Sequence, residues 1–393
     1  VSGDAEAIVL GAGPAGSAAA AALARAGRRV LLLERHATPP EPVCGEFLSV
    51  GAARGLTRFG LTPEGLGARP IRRALLGAGR WRAELPLPFP AWSLPRAVLD
   101  AAVQAAVAGA GAELRRGLAA VAAERRGSCW RVRLSDGTVL WAPELLLGTG
   151  KHALRGHASA AALRGRPRGR PWGRPWGRLG LKLHLHGGTV PEGAVALLRC
   201  PGGYAGLLPS GEAGNANLCA ALDPAAPGVA EAARDPSRFL ALVAGGSELA
   251  AHLLAGAVPA WARPAAVAGI AYGLLPPRGS HGGGGPWRLG DQAAVIPSWS
   301  GEGVAMALES GWQAGAALSA GASAEAWHAA WRCRVAGRVR LAEAGGWLLR
   351  CAPWALIGLA EAAPRLAGQG ALALRLAPPE DVFSEMSAAG WRR

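Results

Sequence analysis

The sequence predicts an α/β protein: one lobe built on a parallel βαβ unit, interleaved with a lobe built on an antiparallel sheet and closed by C-terminal helices. Three observations carry that expectation. An apolar run at Ala7–Leu10 meets three glycines, an alanine-rich stretch and a second apolar run from Val30 to Leu33. Far along the chain, Trp287–Leu289 ends in Gly290-Asp291 and leads through Gly301-Glu302-Gly303 into a helical pattern. Between them, Leu181 to His186 alternates leucine with a polar residue, the two-residue period of a strand with unlike faces.

In the first element each residue type has a physical task. Gly11 permits a tight turn out of the strand, and Gly13 removes a side chain where a pyrophosphate must approach the backbone. Gly16 allows the helix to pack closely on the sheet. A helix opening at Pro14 and Ala15 points unpaired N–H groups and its positive dipole end at the phosphates. Glu34, with Arg35 beside it, ends the second run, where an acid accepts hydrogen bonds from a ribose diol. An ordinary βα turn is the plainer alternative; strand, spacing, helix and acid agree on a Rossmann-type dinucleotide unit.

The second element narrows the dinucleotide. A strand ending in Gly290-Asp291, then a glycine-rich turn opening a helix, offers free N–H groups to an electron-rich ring edge and a carboxylate to sugar hydroxyls. This segment resembles that of FAD enzymes of the para-hydroxybenzoate hydroxylase type. The resemblance implies that Asp291 binds the ribityl and pyrophosphate region, and that Gly301, Glu302, Gly303 and Val304 lie beside the isoalloxazine.

Three further segments resemble the same superfamily. Ser93–Asp100 is similar to the arginine-bearing helix start that contacts FAD, which implies a cofactor role for Arg96. Leu145–His152 resembles the strand that ends beside the adenosine half, at Gly150. It reads Gly-Thr-Gly-Lys-His where many hydroxylases have Ala-Asp-Gly. Cys44-Gly45-Glu46 resembles a segment of geranylgeranyl-reductase-like flavoproteins, which implies that Cys44 and Gly45 lie near the flavin. The whole looks most like a bacterial, polyketide-tailoring branch, over scattered blocks of about residues 5–320. The reductases' Tyr-x-Trp-x-Phe-Pro strand appears here as Tyr204-Ala205-Gly206-Leu207-Leu208-Pro209, with Gly and Leu in place of Trp and Phe.

Composition sets the outer bounds. The chain has 393 residues, half of them hydrophobic, which suits two intergrown lobes better than one core. Residues 14–26 belong to the fingerprint helix rather than to a signal peptide. The longest apolar stretch, 346–363, is interrupted by Arg350, Pro353 and Glu361 and is no membrane span. Six cysteines without a CxxC pair, and eight histidines that form no ligand set with them, suggest a cytoplasmic protein with no metal. The formal charge of +15 is nearly all arginine, densest between Arg164 and Arg178 among Gly, Pro and two Pro-Trp-Gly repeats. That run reads either as a solvated loop or as a docking patch for an acidic carrier protein, an anionic membrane surface or an acidic substrate. No nucleic-acid fold accompanies it, so nucleic acid is not an expected partner.

The expected organisation is an FAD-binding lobe from 1–66, 93–160 and 278–335, a substrate lobe from 67–92 and 161–277, and a helical region over 336–393. Trp327, Trp331, Val335 and Val339 recur at helical spacing and read as core. A flavin performs its own electron chemistry, so no catalytic triad is expected. Cys44, His184, Tyr204 and Trp299 are the candidate catalytic residues, each with ordinary packing as the alternative. His184 could bind or deprotonate a phenol, and Trp299 could line the flavin face. A single fingerprint fits either an enzyme that binds NAD(P)H as a transient reductant without a fold of its own or a reductase fed by another donor.

The resemblance implies an FAD-dependent monooxygenase that hydroxylates a hydrophobic aromatic or polyketide-like small molecule with NAD(P)H and O₂ through a flavin C4a-hydroperoxide. The alternative is a geranylgeranyl-reductase-like enzyme that reduces C=C bonds of a prenyl or lipid chain; a third reading is a flavin carrier without turnover. Substrate identity, NADH against NADPH and oligomeric state are not written in the sequence.

Overall fold

The computed structural model describes residues 4–152, 154, 177–275 and 284–376. The arginine run before residue 177 lies outside the described residues, and Arg178 opens a strand.

The first sheet is wholly parallel. It is built from β1 (Ala7–Leu10), β2 (Val30–Glu34), β6 (Glu113–Arg116), β10 (Glu144–Leu147) and β17 (Trp287–Arg288), in the order β17-β10-β1-β2-β6. Its central strands are apolar and buried on both faces, as a covered parallel sheet requires. Val9, Leu32 and Leu146 face α1 (Pro14–Arg25) and the helix Gly303–Ser319. Their neighbours Ile8, Leu31 and Leu145 face a small antiparallel sheet of β7 (Ala120–Arg126), β8 (Cys129–Leu134) and β9 (Val139–Ala142). The Ser135-Asp136-Gly137 turn joins β8 to β9.

The alanine content of α1 has a packing cause. A Cβ at Gly311 would fall on the Ala15 carbonyl oxygen, and one at Gly315 would lie 2.6 Å from the Ala22 Cβ. The two helices approach closely because both present small residues. α2 (Val50–Thr57) follows the same rule, with the Leu308 Cβ 2.8 Å from a Cβ placed at Gly55.

The second sheet has nine strands: β15-β11-β14-β13-β12-β4-β5-β3, with β16 also on β11. They are β3 (Phe47–Ser49), β4 (Arg69–Ala78), β5 (Trp81–Ser93), β11 (Arg178–His186), β12 (Ala194–Cys200), β13 (Gly203–Pro209), β14 (Asn215–Leu222), β15 (Val258–Pro259) and β16 (Ala265–Ile270). The pairing is antiparallel except between β12 and β4, which run parallel where the two segments of this sheet meet. Two long strands, β4 and β5, fill most of 67–92. Short β3 pairs only with Ala91–Ser93, which leaves Pro86, Pro88 and Pro90 on an open side where no N–H is needed.

Leu181, Leu183 and Leu185 of β11 share a buried face with Phe239 and Val243. Two helices, Pro236–Ala244 and Glu248–Leu253, are separated at Gly246, which lies so close to Arg199 that no side chain fits there. At the C-terminus, Ala324–Cys351 forms one helix with Trp327, Trp331, Val335 and Val339 buried. Two shorter helices follow, and Ile357 and Ala360 of the first cover the β4–β5 side of the second sheet. Among the described residues no helix is long and apolar enough to cross a membrane.

Candidate functional site

A cavity of about 690 Å³ opens between the two large sheets. Fourteen of the sequence-derived cofactor residues line it: Gly11, Gly13, Pro14, Ala15, Glu34, Arg35, Cys44, Gly45, Arg96, Gly150, Asp291, Gly301, Gly303 and Val304. At one end Gly11 turns out of β1 at φ 93°, where a Cβ would stand 2.6 Å from the Gly148 carbonyl oxygen. Above Gly13 the nearest atom to such a Cβ is Arg96 Nη2 at 4.0 Å, so the helix start is open. No side chain caps α1. Gly16 does not reach the cavity; it lies beneath, against the Gly11 carbonyl, where only glycine fits.

Glu34 is held for presentation. Its Oε2 accepts the Ala12 N–H at 2.9 Å and its Oε1 accepts the His36 N–H at 3.0 Å. A carboxylate has lone pairs beyond these two, and Glu34 borders the cavity. The Ala12 carbonyl is in turn fixed by Ser17 Oγ and Gln104 Nε2, both at 3.0 Å, and Arg116 Nε donates to Gln104 at 2.9 Å. Gln104 and Arg116 carry no local motif, and the sequence does not single them out.

Across the cavity Lys151 Nζ lies 3.4 Å from Asp291 Oδ2, and that carboxylate holds the Lys151 pKa above its ordinary value against the effect of burial. Gly301, at φ 70°, and Gly303 bring the start of the 303–319 helix to the same wall. Glu302, expected beside the isoalloxazine, is directed the other way. It is fully buried, its Oε1 2.5 Å from Arg375 Nη1 and its Oε2 accepting the Leu376 N–H at 3.3 Å. Arg375 also donates to the Ser300 carbonyl at 2.6 Å and lies 4.3 Å from the Phe89 ring centre. The end of the described chain thus braces the glycine turn from behind.

The Cys-Gly-Glu segment brings a group that the sequence undervalues. Glu46 is fully enclosed and is the one described non-glycine residue with positive φ, at 60°. Its Oε1 receives Lys182 Nζ at 2.6 Å and the Arg96 N–H at 3.3 Å; its Oε2 receives Ser210 Oγ at 2.7 Å. Burial alone would raise its pKa, but hydrogen bonding from His184 and Ser210 and the Lys182 charge outweigh it and bring the value down to about 2. Lys182 also reaches Glu41 Oε2 at 2.7 Å, which ties down the loop before Cys44. Ligand atoms of Glu41, Glu46 and His184 lie within 4.8 Å of one another, and the Lys182 ammonium already supplies a cation to both carboxylates. Beside them Arg96 forms a bidentate pair with Asp100; burial works against its charge, and Asp100 and Cys44 more than restore it.

The expected polar face of β11 is therefore not a solvent face: Lys182 is wholly buried, while His186 is exposed and meets Asn215 Oδ1 at 2.8 Å. Of the candidate catalytic residues, Cys44 borders the cavity. His184 lies behind it, with Nε2 3.4 Å from Glu46 Oε1 and its ring 4.7 Å from Trp261. Trp299 differs from its expected place: its indole N–H donates to the Ala342 carbonyl at 3.0 Å, toward the long C-terminal helix. The Gly345 and Gly346 positions admit that ring because they have no side chain. Tyr204 meets the cavity through Ser298, its hydroxyl 2.7 Å from Ser298 Oγ. Ser298 and Tyr272, neither prominent in the sequence, do border the cavity.

Residues 9–39 match the model of an NAD(P)-binding Rossmann-like domain. In overall shape the chain is similar to a geranylgeranyl bacteriochlorophyll reductase-like protein from Thermoplasma acidophilum, with a TM-score of 0.70 and 17% identity over 98% of both chains. The chain has the fold of the FAD-dependent oxidoreductases. Among curated relatives, the menaquinone reductase of Mycolicibacterium smegmatis is 34% identical over 161 residues, 39% of either chain. The squalene monooxygenase of Mus musculus is 40% identical over 89 residues, 22% of this chain and 16% of its own. The chain thus matches well under half the length of either relative.

Proposed function

We propose that this chain is an FAD-dependent monooxygenase acting on a hydrophobic aromatic or polyketide-like small molecule. The observation that carries the reading is the convergence of Gly11, Gly13, Glu34, Asp291 and Gly301 on one cavity whose remaining walls include Val43, Ala266, Val267 and Ile270. FAD suits this donor set. Gly13 leaves the start of α1 clear for a pyrophosphate, Glu34 offers acceptors to a ribose, and Asp291 offers acceptors to a ribityl chain. When bound, FAD supplies two-electron exchange with NAD(P)H and oxygen activation. The chain's own residues bind, orient and enclose. The Lys182–Glu46 pair fixes the loop of Cys44, and apolar residues of β16 line the substrate side.

A second reading, reduction of a C=C bond in a prenyl or lipid substrate, is favoured by Cys44 on the cavity wall and by the likeness to a menaquinone reductase. One experiment separates the two. Purified protein is loaded with FAD, supplied with NADPH or NADH and a panel of aromatic and polyprenyl compounds, and run with and without O₂. Monooxygenation gives oxygen-dependent products heavier by one oxygen atom. Reduction gives oxygen-independent products heavier by two hydrogens. Protein that retains no FAD sinks both readings.

A further inference from the structure

One cross-strand row of the second sheet is left open. Leu76 of β4 pairs with Leu197 of β12, Leu197 with Gly206 of β13, and Gly206 with Cys219 of β14. Residues in direct register project from the same face of a sheet. All four are half-buried, whereas Leu75, Leu198, Leu207 and Leu218 on the opposite face are enclosed in one apolar core. Leu197 packs into no apolar core among the described residues. Gly206 is not there for its backbone, since its φ is not positive. A Cβ placed on it meets only the Cys219 carbonyl oxygen, at 3.9 Å, so the space above it is empty. The row has two walls. On one side Leu208 and the Val195–Ala74 pair are buried with Ile357 and Ala360 of the helix Pro353–Ala362. On the other stand Tyr204 and Arg199, paired across β13 and β12. One end joins the cavity, because Cys219 lines it and Tyr204 meets Ser298 on its wall. Neighbouring strands stand about 4.8 Å apart, so the row runs roughly 14 Å from Cys219 to Leu76.

We propose that this row is the floor of a groove that takes an aliphatic chain of the substrate, whose ring system occupies the cavity. A compact ring alone leaves the two leucines wet, whereas a chain laid across Gly206 covers them and gains by it. The row carries no charged group and no side-chain amide or hydroxyl, so a polar extension finds no partner there and loses its own water. Gly206 is the specificity-determining position, since any large side chain on it would stand in the path of the chain. The inference names the substrate class of the proposed function, a ring bearing an aliphatic chain, and rests on that reading of the cavity.

The test uses FAD-loaded protein without reductant and two probes, 2,3-dimethyl-1,4-naphthoquinone and its 2-hexyl-3-methyl analogue, with affinities measured by equilibrium dialysis. The hexyl chain is expected to tighten binding to the parent by about 10-fold or more, since each methylene taken from water is worth roughly 4-fold. Gly206→Trp should abolish that preference and leave the short probe unchanged. Leu197→Ser should narrow it by roughly 3- to 10-fold, again without moving the short probe. Circular dichroism and flavin absorbance check that each variant is folded and loaded. Should Gly206→Trp not fold, Gly206→Leu fills the same space with less bulk and carries the same expectation. Equal affinities for the two probes in the parent overturn the proposal. So does a chain preference that survives the Gly206 and Leu197 variants, or a variant that weakens both probes alike. Failure of the proposed function is read separately: the protein then retains no FAD, or the short probe does not bind beside it.

Discussion

Lys182 Nζ lies 2.6 Å from Glu46 Oε1, and neither side chain has any exposure to solvent. A buried pair of this kind contributes less by attraction than it costs when one member is lost. Lys182→Met should therefore destabilise the protein by about 3–5 kcal/mol, because a carboxylate is left enclosed without its cation. Pairing it with Glu46→Gln should recover much of that loss in chemical denaturation. If the single variant melts like the parent, the pair is not a structural tie.

The same carboxylate sets an acid limit. The Glu46 pKa is about 2 in the fold against an ordinary 4.5, so the folded state favours the ionised form. Its contribution is fully present above about pH 4.5 and is lost as pH falls through about 2. A shift of this size corresponds to on the order of 3 kcal/mol. Denaturation midpoints measured between pH 7 and pH 3 should fall less steeply for Glu46→Gln than for the parent. Parallel slopes would refute the assignment.

Two neighbouring glycines should separate folding from cofactor retention. At Gly13 a Cβ meets no atom closer than 4.0 Å, so Gly13→Ala should fold with near-parental stability yet lose FAD on gel filtration. At Gly16 a Cβ would fall on the Gly11 carbonyl, so Gly16→Ala should unfold or lose several kcal/mol. Circular dichroism and flavin absorbance together read both outcomes. A Gly13→Ala protein that remains yellow removes the pyrophosphate from this turn.

Arg375 and Glu302 form another enclosed pair, 2.5 Å apart. Arg375→Ala should cost about 3–5 kcal/mol through the stranded Glu302, and a Glu302→Met/Arg375→Met double variant should restore most of it. Because Glu302 stands between Gly301 and Gly303, the single variant should also weaken FAD retention, measurable by dialysis. Unchanged retention would separate the brace from the cavity.

What was legible in the sequence was local. Gly11, Gly13, Gly16 and Glu34 act within one βαβ unit, and their spacing alone specifies the turn and the strand end. The leucine alternation of β11 likewise showed its buried face. What escaped depended on contacts distant in sequence. The surroundings of Lys182 stayed open because nothing near it in the sequence reveals Glu46, 136 positions away. Glu302 looked like a flavin neighbour because Arg375, 73 positions on, is invisible to a motif. Trp299 followed its neighbours in the turn on paper; in space its ring follows the gap left by Gly345 and Gly346.

The parallel junction of β12 with β4 has a consequence for how such a protein can change. The second sheet is assembled from strands within 47–93 and 178–270, and the first from strands on either side of each. No single cut in the gene yields a transplantable substrate half, because each half would carry an unfinished sheet. Diversification of what the cavity accepts is thereby channelled into single-residue replacements along β14, β16 and the 295–298 stretch, while recombination between distant relatives is disfavoured.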